Sequence, residues 1–163
     1  MSLYAGDADK IRKLVREAEV HRDVFIDEEL FQLEMDHLFA NTWVYVGHDS
    51  QVPNEGDFYT TTVGSQPVVM VRHTDGEVKV LLNRCPHKGV KVAGETCGNT
   101  GKVFRCPYHA WRFRTDGSLL SIPQMKGYDN TGFEGSPAAH GMTRVANVHN
   151  YRGFVFARLN DKG

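Results

Sequence analysis

The chain has 163 residues, 40% hydrophobic and 24% charged, which suits a single domain with its own core and excludes a disordered chain. A net charge of −1, with the basic residues scattered along the sequence, gives no general attraction to nucleic acid or to a membrane surface, and neither is expected as a partner. No apolar run approaches a membrane span and no secretion signal opens the chain, so the expected compartment is cytoplasmic.

Ile11, Leu14, Val15 and Ala18 fall at helical spacing, with Asp7 available as a cap, and predict an amphipathic helix over residues 8–20. Asp27 precedes Glu28 and Glu29, favourable charges for a first turn, and Leu30, Phe31, Met35, Leu38 and Phe39 continue a second helix to about Ala40. Core packing is the expected role of that stripe, and His37 on it is expected at the surface. From Thr42 the period changes to two. Strands are expected over residues 42–46, 58–63, 68–72, 78–83, 103–106, 111–114, 119–122 and 154–159, with Asp75-Gly76 and Asp116-Gly117 as hairpin turns. Residues 123–147 have no sustained period and predict a long surface loop, in which His140 is an ordinary surface histidine, as is His149 just beyond it.

Within this pattern lies Asn83-Arg84-Cys85-Pro86-His87-Lys88-Gly89, then eighteen residues after His87, then Cys106-Pro107-Tyr108-His109-Ala110-Trp111. Each cluster joins a soft thiolate to an imidazole on a Pro-containing loop. Such a mixed set is what an iron–sulfur centre with Cys on one iron and His on the other requires. Two Cys and two His can also close a tetrahedral zinc site, although zinc pairs usually stand two to four residues apart, whereas Pro86 alone separates Cys85 from His87. Cys97 is the remaining cysteine; its Gly- and Asn-rich surroundings suggest a hairpin tip.

These two clusters resemble the Rieske domain of aromatic-ring-hydroxylating oxygenase alpha (large) subunits. Leu33 to Phe39 with Trp43 to His48 resembles that family's lead-in, Gln66 to Arg72 its first hairpin, and Tyr151 to Phe156 the segment leading to its catalytic domain. Ala110 departs from the usual Gly, and the spacing between the clusters is slightly long. The resemblance implies a mainly β fold: small antiparallel sheets with a cluster-binding subdomain over residues 42–163, preceded by two helices in a lead-in over residues 1–41. It further implies a 2Fe-2S cluster on Cys85, His87, Cys106 and His109, surrounded by Lys88, Gly89, Tyr108, Trp111 and Pro123, with Pro123 in a loop that covers the cluster.

By the same resemblance, a ferredoxin or reductase supplies electrons, and these pass to a mononuclear Fe(II) in the catalytic domain of the same or a neighbouring alpha subunit, with a beta subunit as a further partner. No Asp-x-x-His-x-x-x-x-His pattern for that second iron occurs here, so the oxygen-activating domain is expected outside this chain. Aromatic acids are the expected substrates, by analogy alone. Respiratory Rieske proteins carry two further cysteines, which would fall at Val90 and Tyr108, and a Ser hydroxyl where this chain has Ala110-Trp111; their lack implies a low potential. A free-standing Rieske ferredoxin and a zinc-stabilised binding module are the alternative readings.

Overall fold

In the computed structural model, residues 3–133, 135 and 139–160 are described; parts of the expected 123–147 loop and the end of the 42–163 domain lie outside them. Among the described residues ten short strands make three antiparallel sheets. The middle sheet has β2 (Asp57–Val63), β3 (Gln66–Arg72), β4 (Val78–Leu82) and β5 (Cys97–Asn99) in the order β4-β3-β2-β5. A second sheet pairs β1 (Val44–His48) with β10 (Phe154–Arg158), and β10 with β9 (Asn147–Tyr151). The third is the small meander β6 (Val103–Arg105), β7 (Arg112–Arg114) and β8 (Leu119–Ser121).

Alternation along β3 explains how these layers stack. Val68, Val69, Met70 and Val71 are all fully buried, so β3 is covered on both faces. Val68 and Met70 belong to one core with Val46, Val155 and Ala157 of the second sheet. Val69 and Val71 belong to the other, with Cys85, Cys106, Trp111 and Phe113. The loops that carry Cys85 and Cys106 are thus seated on the buried centre of the domain.

Two matched turns fix the far ends of the hairpins. Each reads Thr-Asp-Gly: Gly76 and Gly117 take φ of 84° and 88°, and Asp75 and Asp116 accept from the N–H of Glu77 and Ser118, both at 2.8 Å. Only the glycines, not the Asp residues, need the left-handed region. The turns lie side by side, with His73 Nδ1 2.6 Å from the buried Thr115 Oγ1. A Cβ on Gly117 would stand 2.8 Å from the Met142 carbonyl, which is how closely residues 142–145 approach before running along β4 through Leu82 N–H to Thr143 and Val145 N–H to Val80.

Two strands were not anticipated. The expected hairpin tip at Cys97 is instead the edge strand β5, on which Cys97 is exposed and Gly98 packs against the ring of Phe58. Strand β9 has polar Asn and His at alternate places; it joins β10 through Arg152 and Gly153, both at positive φ. His149 is exposed on β9, as expected.

The lead-in departs most from expectation. The helix over residues 8–20 is only Ala8–Arg12, capped by Asp7 accepting from the Lys10 N–H at 3.1 Å, and is followed by a tight turn that bridges Val15 to Val20. Ile11 and Val15 are exposed, so the apolar stripe meets no packed partner, and without one a helix of this length is marginal. A further turn, Asp23–Ile26, precedes Glu28–Leu33, whose cap Asp27 accepts from the N–H groups of Glu29 and Leu30. That helix widens to π geometry over Glu34–Phe39. Of the stripe expected in the core, Leu30 is buried, Met35 and Phe39 are half-buried, and Phe31 and Leu38 are exposed; His37 is exposed as expected. Leu3, Tyr4 and Ala5 are tied down by Glu29, whose carboxylate accepts from their N–H groups. Among the described residues no helix is long and apolar enough to cross a membrane.

Candidate metal centre

The two ligand loops are one structure used twice. The Cys85 N–H donates to the Val90 carbonyl at 2.8 Å, and the Gly89 N–H to the Cys85 carbonyl at 2.8 Å. Likewise the Cys106 N–H donates to the Trp111 carbonyl at 2.9 Å, and the Ala110 N–H to the Cys106 carbonyl at 3.1 Å. A proline follows each cysteine and sets φ at the start of the bend. The fifth residue must then turn left-handed: Gly89 has φ 74° and Ala110 φ 58°. Gly89 adopts this freely, whereas Ala110 carries a Cβ there at a cost of about 1 to 2 kcal/mol. Within this repeat the histidines are displaced by one place, His87 third and His109 fourth.

The two loops face each other. Cys85 and Cys106 are buried, and their thiols are within hydrogen-bonding reach. Burial pushes the Cys85 thiol up; the N–H groups of His87 and Lys88 oppose this, and Cys106 adds to it. Above the thiols the rings of His87 and His109 lie 4.7 Å apart, His87 half-buried and His109 exposed. Burial, then His109 and Lys88, hold the His87 imidazole below its usual range, which favours the neutral ring. Among the described residues no three His, Cys, Asp or Glu side chains are grouped to hold one metal ion. The donors stand as an inner pair of thiols and an outer pair of imidazoles.

Aromatic rings support the outer pair. Trp111 is buried and stacks flat on His87, while Tyr108 lies exposed with its ring 3.8 Å from that of His109. Phe133 of the long loop packs 5.8 Å from Trp111 and 4.6 Å from Tyr128. Pro123, expected to cover the site, is exposed; the residues of this segment that pack on the core beneath the loops are Ile122, Tyr128 and Phe133. Lys88 is exposed beside His87. His140 is not an ordinary surface histidine: it is half-buried against Phe133 at 4.4 Å, with Nδ1 enclosed and unpartnered.

Asn83 is a residue whose role was not read from its place in the motif. Its buried Oδ1 accepts from the N–H groups of Val92 and Ala93 at 3.0 and 2.9 Å, and its Nδ2 donates to the Ala93 carbonyl at 2.8 Å. These bonds tie the two flanks of the first ligand loop together. An Asn just before a ligand cluster, followed after nine residues by small apolar residues, is the signal that could have suggested it.

The sequence matches the Rieske [2Fe-2S] domain family over residues 42–148. The chain is a Rieske domain. It is 36% identical to the N,N-dimethyl phenylurea N-demethylase subunit alpha of Sphingobium sp. (strain YBL2), over 98% of this chain and 34% of that protein. It is 35% identical to the toluate 1,2-dioxygenase subunit alpha of Pseudomonas putida, over 99% of this chain and 36% of that protein. Its structure superposes on naphthalene 1,2-dioxygenase from Rhodococcus sp. with a TM-score of 0.83 at 28% identity, covering 96% of this chain and 35% of the other. The Rieske domain with its lead-in therefore spans about a third of the length of these oxygenase relatives.

Proposed function

We propose that Cys85 and Cys106 hold the inner iron of a 2Fe-2S cluster, that His87 and His109 hold the outer iron, and that the domain passes single electrons into an oxygenase. The observation that carries this reading is the stacking of two buried thiols beneath two imidazoles, one of each from either loop. Two thiolates this close would repel each other, and a cationic iron centre relieves that repulsion. The neutral His87 ring is the protonation state a metal ligand needs.

When bound, the cluster stores and releases one electron. The protein's part is placement. The paired loops present His87 and His109 toward the surface, the thiols sit in the core, and Trp111 and Tyr108 brace the imidazoles. Electrons are taken from a ferredoxin or reductase near the His pair and leave the same way, for a mononuclear iron in the catalytic domain of the same or a neighbouring alpha subunit, within an assembly that includes a beta subunit. The likeness to oxygenase alpha subunits across the lead-in supports this role over that of a free-standing ferredoxin. An aromatic acid is the proposed substrate of the whole enzyme, supported by the toluate-oxidising relative. Hydroxylation itself is assigned to the part of the enzyme outside these residues.

Iron, acid-labile sulfide and zinc measured in protein made with ample iron test the assignment. Two irons and two sulfides are expected, within the about two-iron composition of the cluster type; one zinc without sulfide overturns it. His109→Cys should move the electron spin resonance of the reduced protein toward an all-Cys signature or block assembly. With neither a disulfide at Val90 and Tyr108 nor a Ser hydroxyl at Ala110-Trp111, the midpoint potential should lie near about −150 mV, the low end for such centres.

A further inference from the structure

His140, half-buried, stands in the aromatic packing behind the loops that carry Cys85 and Cys106. Its ring meets that of Phe133 edge-on, centroids 4.4 Å apart and planes at 61°. Phe133 in turn lies 5.8 Å from Trp111, the indole that stacks on His87 at 4.8 Å. Four rings from three separate stretches of chain thus run in one series of contacts from residue 140 to residue 87.

The backbone holds the two loop rings differently. Two residues past His140, Met142 is buried and its N–H donates to the Gly117 carbonyl at 2.8 Å, after which residues 143 and 145 bond to β4. His140 therefore projects from just before an anchored run. Phe133 lies outside the strands, its N–H donating to the Thr131 hydroxyl at 3.4 Å, and its ring is placed by its neighbours Tyr128, Trp111 and His140. His140 also serves here as a ring and not as a base: Nδ1 is enclosed and makes no hydrogen bond. An enclosed polar atom without a partner is less favourable than carbon in the same place, so the stiff, flat body of the side chain is what the site uses.

We infer that His140 is a positioning residue for His87: acting through Phe133 and Trp111, it fixes the orientation of that imidazole on the iron His87 is proposed to bind. What His87 holds rests on the Rieske reading, whereas the ring contacts stand apart from it. His109 has no such support, since the ring beside it is that of the exposed Tyr108. The anchored segment after His140 thus reaches the outer pair of imidazoles on one side only.

The test uses the protein with its cluster assembled, checked first by labile sulfide. His140→Ala should shift the g-values of the reduced protein, because an unsupported Phe133 lets Trp111 and His87 turn; His140→Leu, which fills the space without a ring, replaces it if that variant does not fold. His140→Phe keeps a ring and removes the bare nitrogen, so it should restore the wild-type g-values with a thermal midpoint no lower than that of the wild type. Phe133→Leu should reproduce the shift of His140→Ala, and the two together should shift no further than either alone, since both act along one route. Unchanged g-values in His140→Ala, full additivity in the double variant, or an equal shift in His140→Phe overturns the inference. Absence of labile sulfide in the wild type defeats the Rieske reading instead. Emission from Trp111 in a Trp43→Phe background then decides the contacts: a move to longer wavelength in His140→Ala supports them, and unchanged emission defeats them.

Discussion

The indole of Trp111 lies flat on the imidazole of His87, ring centroids 4.8 Å apart and planes 5° from parallel. Trp111 is buried, so it fixes the ring of His87 from the core side and is itself backed by Phe113 and Phe133. Trp111→Ala should lower stability by about 3 to 5 kcal/mol, the usual range for emptying a large aromatic site. Trp111→Phe should retain most of the stability yet shift the g-values of the reduced protein, because His87 is then less firmly oriented. Denaturant unfolding and electron spin resonance check the two effects separately; unchanged g-values in Trp111→Phe would show that the stacking is packing alone.

Asn83→Ala should destabilise the protein by about 3 kcal/mol, since three buried hydrogen bonds are lost and backbone groups of residues 92 and 93 are left unsatisfied. Asn83→Asp keeps the acceptor, but its ionised carboxylate has no donor for the Ala93 carbonyl; protonation restores an O–H donor, so the loss should be smaller at low pH than at neutral pH. Unfolding midpoints at two pH values distinguish the cases.

The repeated loop geometry makes opposite predictions for its two left-handed positions. Ala110→Gly should stabilise by up to about 1 kcal/mol, strain relief being partly offset by a more flexible unfolded chain. Gly89→Ala should destabilise by about 1 kcal/mol; nothing lies within 4 Å of the Cβ it would gain, so the cost is purely backbone conformation. Thermal unfolding of the two variants, which should shift in opposite directions, is the check.

Acid lability has an identifiable source at the second Thr-Asp-Gly turn. Burial would raise the carboxyl of Asp116, but hydrogen bonds from the Ser118 hydroxyl and N–H, with Arg144 nearby, outweigh it and leave the group below its usual range. A depressed carboxyl stabilises the fold fully above its unfolded value of about 3.9, and that contribution is lost as pH falls through the folded value. Asp116→Asn should therefore lower stability at neutral pH and flatten its decline below about pH 4. Unfolding curves across pH 2 to 7, roughly the carboxylate range, would reveal an undiminished slope if the reasoning fails.

What the sequence made legible follows from how locally each feature is written. Cys85, His87, Cys106 and His109 are packed into two short stretches, so their chemistry is visible without a fold, and β3 declares itself through four consecutive apolar residues. The stripe over residues 8–20 has helical period, but whether a helix persists depends on a packing partner, and Ile11 and Val15 meet none here. Strand β9 was obscured because Asn147, His149 and Tyr151 alternate with residues of no stronger apolar signal than Val148. Long-range consequences were invisible for a different reason: the lone imidazole nitrogen of His140 and the hold of Phe133 on Trp111 both depend on distant residues meeting.

The one-place displacement of histidine within the repeated loop leaves the proposed cluster-binding edge without twofold symmetry. His87 emerges a residue earlier and is turned against the indole, backed by aromatic core; His109 emerges a residue later and is turned to open solvent beside Tyr108. The edge therefore has a front door and a back wall. A visiting protein meets the imidazole of His109 first, whereas anything sensed at His87 must arrive through Trp111 and the loop that carries Phe133.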